Sequence, residues 1–289
     1  MSYGKLVTDA INISGKNWWL WIFGFFVSLG DAGSAVGHLS KGFKPENISP
    51  DSLELLAALA LGLIALALLA GVIYLILMII AEASLIVAVR EIKTQGRGGF
   101  AKSLSAGIRF FWRLLGIWFL VLVVSLAVSL LCAIPVVLAF IIHVALGIMA
   151  LLAVGLIWLI LIVAIIIIEA YAFRFAVIED KPVFDAIDAG RKMLKENIWA
   201  SIAVGLISFF SQLVIGLLML LLAVVIGIPF ILAGTVNLWL GLVPGLIVAF
   251  IFLVVIYGFL GTYASSLWTL AYLQLKELAA PQQAEVVVA

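Results

Sequence analysis

Two acid and base pairs recur late in long apolar runs of this chain: Glu82 followed by Arg90, and Glu169 followed by Arg174. A third run carries Tyr263 where the acids would align. A carboxylate at the edge of a membrane core needs a partner or water, which leaves two chemistries open. Glu82 and Glu169 either form structural pairs with Lys16, Arg109, Arg113 or Arg191 of a surface segment, or they hold a proton or cation coupled to transport. A second polar set lies deeper. Sliding the stretch around Gly107 onto that around Gly190 brings Ser125 onto Ser208 and Ser129 onto Gln212. Residues at i and i+4 share one helix face. Ser125, Ser129, Ser208 and Gln212 therefore make a candidate polar row, read first as interhelical hydrogen bonding and second as a solute path.

Other chemistry finds few reagents. Cys132 is the single cysteine, His38 and His143 are the only histidines, and no zinc, P-loop, serine-hydrolase or dinucleotide motif is present. The expectation is a non-enzyme with no cofactor, no metal and no nucleic-acid partner.

The elements that must position these residues follow from composition. The chain has 289 residues, 66% hydrophobic and 11% charged, with a mean hydropathy of +1.36. Such a chain cannot present a polar surface to water, so the bilayer is its solvent. A span needs about 20 apolar residues, and six are predicted, at roughly 17–30, 55–81, 114–139, 144–168, 198–225 and 243–264. The first is short, and a signal peptide competes for it; two similar segments downstream favour a short helix. Every Lys and Arg except Lys41 and Lys44 falls on one side of this arrangement. The positive-inside rule then places both termini in the cytoplasm, in a multi-pass protein of the cell (inner) membrane.

Charged amphipathic segments precede the odd-numbered spans, at Tyr3 to Asn17, Phe100 to Arg113 and Val183 to Asn197. Each carries a short anchor: Ala10-Ile11-x-x-Ser14, Ser103-Leu104-x-x-Gly107 and Ala186-Ile187-x-x-Gly190. The predicted fold is an all-α membrane protein of about six transmembrane helices. These form three tandem two-span repeats, each preceded by a cytoplasmic amphipathic interfacial helix, with pseudo-threefold symmetry. The units are 1–95 (with a polar outer loop at 31–54), 96–182 and 183–278, followed by a short disordered tail at 279–289. Arg109, Arg113, Arg191, Lys192 and Lys195 on the interfacial helices are candidate contacts for anionic lipid headgroups. Trp18, Trp19, Trp21, Trp112, Trp118, Trp199 and Trp268 read as interfacial belt residues. Small residues at Ala58 and Gly62, Ala67 and Gly71, and Gly241 and Gly245 read as close-packing seams.

The segment Val183-Phe184-Asp185-Ala186-Ile187 through Asn197-Ile198-Trp199 resembles the membrane domain attached to some bacterial glycerophosphoryl diester phosphodiesterases. The resemblance covers mainly the third unit and, less closely, Ala10 to Trp19. It implies a membrane-embedding module, since the catalytic barrel of that family has no counterpart here. Two functions follow. The first is a noncatalytic scaffold, assembly factor or accessory subunit, partnered by the lipid bilayer, another membrane protein or a second copy. The alternative is a transporter or channel for an apolar or weakly polar solute or lipid, hinted at by helix-breaking residues around Gly227-Ile228-Pro229 and Pro244.

Overall fold

The computed structural model describes residues 2–32 and 50–288, so Lys41, Lys44, His38 and most of the outer loop lie outside the described residues. Among the described residues the chain forms eight helices: α1 (Tyr3–Lys16), α2 (Leu20–Ala32), α3 (Pro50–Gln95), α4 (Phe100–Ile142), α5 (Val144–Ile178), α6 (Val183–Glu196), α7 (Ile198–Val236) and α8 (Leu238–Val288). Five of these, α3, α4, α5, α7 and α8, are long and apolar enough to cross a membrane. The chain is an all-helical, multi-pass membrane protein.

Local chemistry explains most of the boundaries. The α1 helix ends at Asn17 and α6 at Asn197, and each Asn side chain donates to a carbonyl one turn back, Ile13 and Met193 respectively. The distal turns are equally short. His143 opens α5 by accepting the Ala145 N–H at 3.1 Å, and Asn237 opens α8 by accepting that of Trp239 at 2.9 Å.

Three expectations change. No Asn, Gly or Pro interrupts the chain between Phe100 and the apolar run beyond Arg113 except Gly107, so the second amphipathic segment is not a separate helix. It is the first part of α4, 43 residues long, or about 64 Å. Pro229 and Pro244 do not break their helices, because α7 and α8 continue through them; a proline within a membrane span is accommodated by local adjustment. The last helix also continues through Val288, past Leu278, in a stretch that includes the good helix formers Ala279, Ala280 and Ala284.

Burial is concentrated at one end. The second halves of α3 and α8, the C-terminal part of α5 and the first parts of α4 and α7 pack together with α1, α2 and α6 around Leu85, Ile86, Leu114, Tyr171, Tyr263 and Leu267. On α3, Ile79, Ala83 and Ile86 face one cluster while Ala81, Leu85 and Ala88 face the other, so this helix is enclosed on both sides. Away from the packed end, the α4–α5 and α7–α8 hairpins expose Leu131, Leu152, Leu218 and Leu246, and α3 exposes Leu63 to Leu69. Water would not tolerate these surfaces; hydrocarbon does.

The amphipathic segments lie on long helices. The α1 helix packs on α8, the start of α4 on α3, and α6 on α5. The small residues of their anchors, Ala10, Ser14, Ser103, Gly107, Ala186 and Gly190, are all buried, whereas Ile11 is exposed and Leu104 and Ile187 are half-buried. A Cβ on Gly107 would come within 2.5 Å of the Ile80 carbonyl, and one on Gly190 within 2.8 Å of that of Ile168.

The tightest crossing is that of α2 on α8. A Cβ on Gly24 would collide with the Gly258 carbonyl, and one on Gly261 with the Gly24 carbonyl. Thr262 donates across the same seam to the Leu20 carbonyl at 3.0 Å. By contrast, among the described residues a Cβ on Gly62 or Gly71 meets nothing within 4 Å, so these two glycines form no packing seam there. Gly241 does, against Gly234 and the Phe230 carbonyl. Gly24→Val and Gly261→Val are each expected to destabilise the protein by about 1–3 kcal/mol or more, whereas Gly62→Val leaves it unchanged. Thermal unfolding in mild detergent, followed by size-exclusion chromatography, checks both.

Candidate functional site

Arg174 sits near the C-terminal end of α5 with apolar neighbours on both sides, from Tyr171-Ala172-Phe173 to Phe175-Ala176-Val177. Whichever way the helix turns, such an arginine is carried into the packed end, and its side chain is only 3% exposed. A buried guanidinium must find acceptors. Nη1 donates to the Ala170 carbonyl at 2.7 Å; Nη2 donates to Glu82 Oε1 at 3.2 Å and to the Ser265 carbonyl at 3.3 Å. The Ser265 hydroxyl donates to the same Glu82 oxygen at 3.2 Å. Three long helices, α3, α5 and α8, thus converge on one ion pair. Nε of Arg174 is buried with no hydrogen-bond partner.

Glu82, Arg174 and Ser265 form part of the wall of a cavity of about 360 Å³, together with Glu169, Trp118 and Trp268. The remaining lining is mostly apolar, including Val27, Met78 and Leu114. Glu169 lies five residues before Arg174 on α5, yet among the described residues it accepts no hydrogen bond and closes no ion pair.

The expected partners of the acids are therefore different. Glu82 pairs with Arg174 of a long apolar helix, not with Lys16, Arg109, Arg113 or Arg191. Arg109 and Arg113 instead reach Asp180 in the α5–α6 turn, at 3.8 Å and 2.6 Å, and Arg113 also donates to the Ala176 carbonyl at 3.1 Å. Of the candidate headgroup contacts, Arg191, Lys192 and Lys195 are exposed on α6 close to the exposed Trp199, and Arg109 is exposed on α4. Arg113 is held internally. Trp18, Trp112 and Trp199 face outward, as a membrane belt would require, but Trp118 and Trp268 line the cavity.

The polar row divides. Ser129 donates to the Ser125 carbonyl at 2.8 Å and accepts from Trp158 Nε1 at 3.0 Å, which ties α4 to α5. Gln212 donates to the Ser208 hydroxyl at 3.0 Å and lines, with Ser208, a separate groove of about 410 Å³. Trp268 and Ile166 line both that groove and the acid-lined cavity. Sequence reasoning did not single out Ser265, or the buried pair of Tyr171 and Ser201, hydroxyl to hydroxyl at 2.9 Å. The available signal was Arg174 itself, a lone cation in an apolar helical stretch. A larger groove of about 480 Å³ between the distal parts of α7 and α8 is lined by apolar residues and Thr235 and lacks convergent polar side chains.

The model of a family of unknown function, DUF7544, matches residues 13–275. The chain belongs to DUF7544. The DUF7544 match includes Glu82, Glu169, Arg174 and Ser265, and so covers the whole acid-lined cavity. No curated protein and no solved structure matches the chain.

Beyond the cavity, Glu179 just past α5 clamps α8. It accepts from Lys276 at 2.7 Å and from the Tyr272 hydroxyl, with Lys181 at 3.4 Å. Partial burial pushes the Glu179 carboxyl up, but the hydrogen bonds from Lys276 and Tyr272 and the charges of Lys276 and Lys181 outweigh it. The carboxyl is held below its usual value of 4.5. A depressed folded pKa stabilises the fold above the unfolded value, and that contribution disappears as the pH falls through the folded value. Glu179→Gln is therefore expected to be less stable than wild type at pH 7 and equal to it once the pH is well below 4.5. Thermal midpoints across that range check this; a constant difference would contradict it.

Proposed function

We propose that this protein binds, and moves within the membrane, an amphiphilic molecule: a lipid or a weakly polar solute. The observation that carries this reading is Glu169, a carboxylate with no bonded partner among the described residues, lining an otherwise largely apolar cavity beside the Glu82–Arg174 pair. Ionisable groups within membrane helices are costly, and those that do not serve packing mark ligand or ion sites. The cavity also falls within the ordinary range of small-molecule sites, about 300–1,000 Å³.

The scaffold reading rested on spans without core charges, and the cluster of Glu82, Glu169 and Arg174 among the packed helices weighs against it. The role we propose is noncatalytic: the Ser265 hydroxyl does meet a carboxylate in the cavity wall, but that carboxylate, Glu82, is already engaged by Arg174. This role agrees with the resemblance to a membrane-embedding domain.

We further read the architecture as three units around a pseudo-threefold axis. The support is cyclic: each amphipathic segment lies on the second long helix of the preceding unit, α1 on α8, the start of α4 on α3, and α6 on α5. In this arrangement α2, only 13 residues long, is the first of six spans and crosses a locally thinned bilayer. The basic packed end faces the cytoplasm of the cell membrane, and Arg191, Lys192 and Lys195 meet anionic headgroups.

Affinity purification in a native nanodisc, with mass spectrometry of retained lipids, solutes and proteins, tests the proposal. The expected result is one amphiphile retained at about one per chain and lost in Ala264→Phe, which fills the cavity. A stoichiometric protein partner with no retained small molecule would overturn the reading in favour of a scaffold.

A further inference from the structure

We infer that the ligand of the acid-lined cavity carries a single positive charge, an ammonium group, with Glu169 as its counter-charge and Trp118 and Trp268 as its walls. This rests on the binding role proposed above and specifies its chemistry.

The charge balance leads there. Glu82 and Arg174 neutralise one another at 3.2 Å, and Ser265 adds a further hydrogen bond to the same carboxylate oxygen. Glu169 lines the same cavity and, among the described residues, has no hydrogen bond or ion pair. With Glu169 ionised, the fixed charge of the site is one negative unit. In surroundings made largely of Val27, Met78, Leu114 and two tryptophans, one unpaired charge is expensive, and a monovalent cation removes that cost.

The walls select the kind of cation. Among the described residues no group of three metal-ligating side chains exists, and a site of about 360 Å³ is too roomy to coordinate a bare metal ion closely. An alkylammonium group suits it better. Its charge is spread over bulky methylene or methyl groups, which pack against apolar walls and are attracted to tryptophan faces. The buried Nε–H of Arg174, without a partner, offers a donor for an oxygen near the ammonium, such as the hydroxyl or ester oxygen of an amino alcohol. Such a group is found both on free amines and on the headgroups of aminolipids.

The test compares charge with shape. The whole protein in dodecyl maltoside, which is uncharged, is titrated by calorimetry with hexyltrimethylammonium and with the neutral alcohol of the same chain length. Wild type is expected to bind the ammonium at least tenfold more tightly than the alcohol. Glu169→Gln, nearly isosteric, should lose that tenfold preference while keeping the alcohol affinity, and Trp268→Leu should weaken the ammonium about threefold or more. Glu196→Gln, an exposed acid on α6, should change nothing. In parallel, protein drawn from liposomes of mixed phosphatidylethanolamine and phosphatidylglycerol is analysed for retained lipid. Selective retention of the ethanolamine lipid supports the inference with a headgroup as the source; ammonium binding without lipid selection supports it with a free amine as the source. Equal binding of ammonium and alcohol by wild type, unaffected by Glu169→Gln, would overturn the inference and leave the amphiphile-binding role standing. Binding of neither probe, with no retained lipid, would overturn both. The wild-type comparison needs no variant, so a folding defect in Glu169→Gln cannot mask the answer.

Discussion

The packed end of this protein depends on one buried guanidinium. Arg174 has lost its water, and an arginine does not lose its proton in exchange, so the fold must supply acceptors in its place. It does so with Glu82 from α3, the Ser265 backbone from α8 and the Ala170 carbonyl of its own helix. Desolvating an ion pair is costly, and removing one partner costs more than the pair contributes, about 3–5 kcal/mol. The constraint therefore acts mainly as specification: α3, α5 and α8 meet in the register that brings these acceptors to Nη1 and Nη2 of Arg174.

With the register set at one end, the remaining contacts follow from residue size and spacing. The α2 helix approaches α8 to backbone contact through Gly24, Gly258 and Gly261. The amphipathic segments close the end from outside, with salt bridges such as Lys93 to Asp9 at 2.7 Å and Lys102 to Glu91 at 2.7 Å tying α1 and α4 to α3. The distal halves carry no comparable polar contacts between hairpins and present Leu, Ile and Val to lipid. The acid-lined cavity borders Val27 of α2 and Trp118 of α4 as well as the three central helices, so it is enclosed by five helices whose packing the ion pair organises. A site placed there is rigid where it is polar and open to hydrocarbon chemistry where it is not.

The sequence made the helical membrane class and the five long helices legible, because hydropathy is a local property. The anchor spacings were legible for the same reason: Ala10, Ser103 and Ala186 recur at helical positions, and all three are buried. The continuity of α4 was harder, since it depends on the absence of an Asn like those that end α1 and α6. The partner of Glu82 was not legible at all. It lies 92 residues away, and a span boundary drawn at 168 from hydropathy alone put Arg174 among the solvated charges. Buried pairing between distant helices leaves no periodic signal, only an isolated charge among apolar neighbours. The split of the Ser125, Ser129, Ser208 and Gln212 row has the same origin: a shared offset aligns positions within helices but does not say which groove each helix faces.

A double-mutant cycle on Arg174 and Glu82 tests the organising role of the ion pair most directly. Arg174→Met and Glu82→Leu, singly and together, would be compared with wild type by reversible unfolding in detergent or bicelles. The account predicts that each single change is strongly destabilising, by about 3–5 kcal/mol, and that the double variant recovers much of the loss because no buried charge of the pair is left unpaired. Single variants as stable as wild type, or losses that simply add in the double variant, would contradict it.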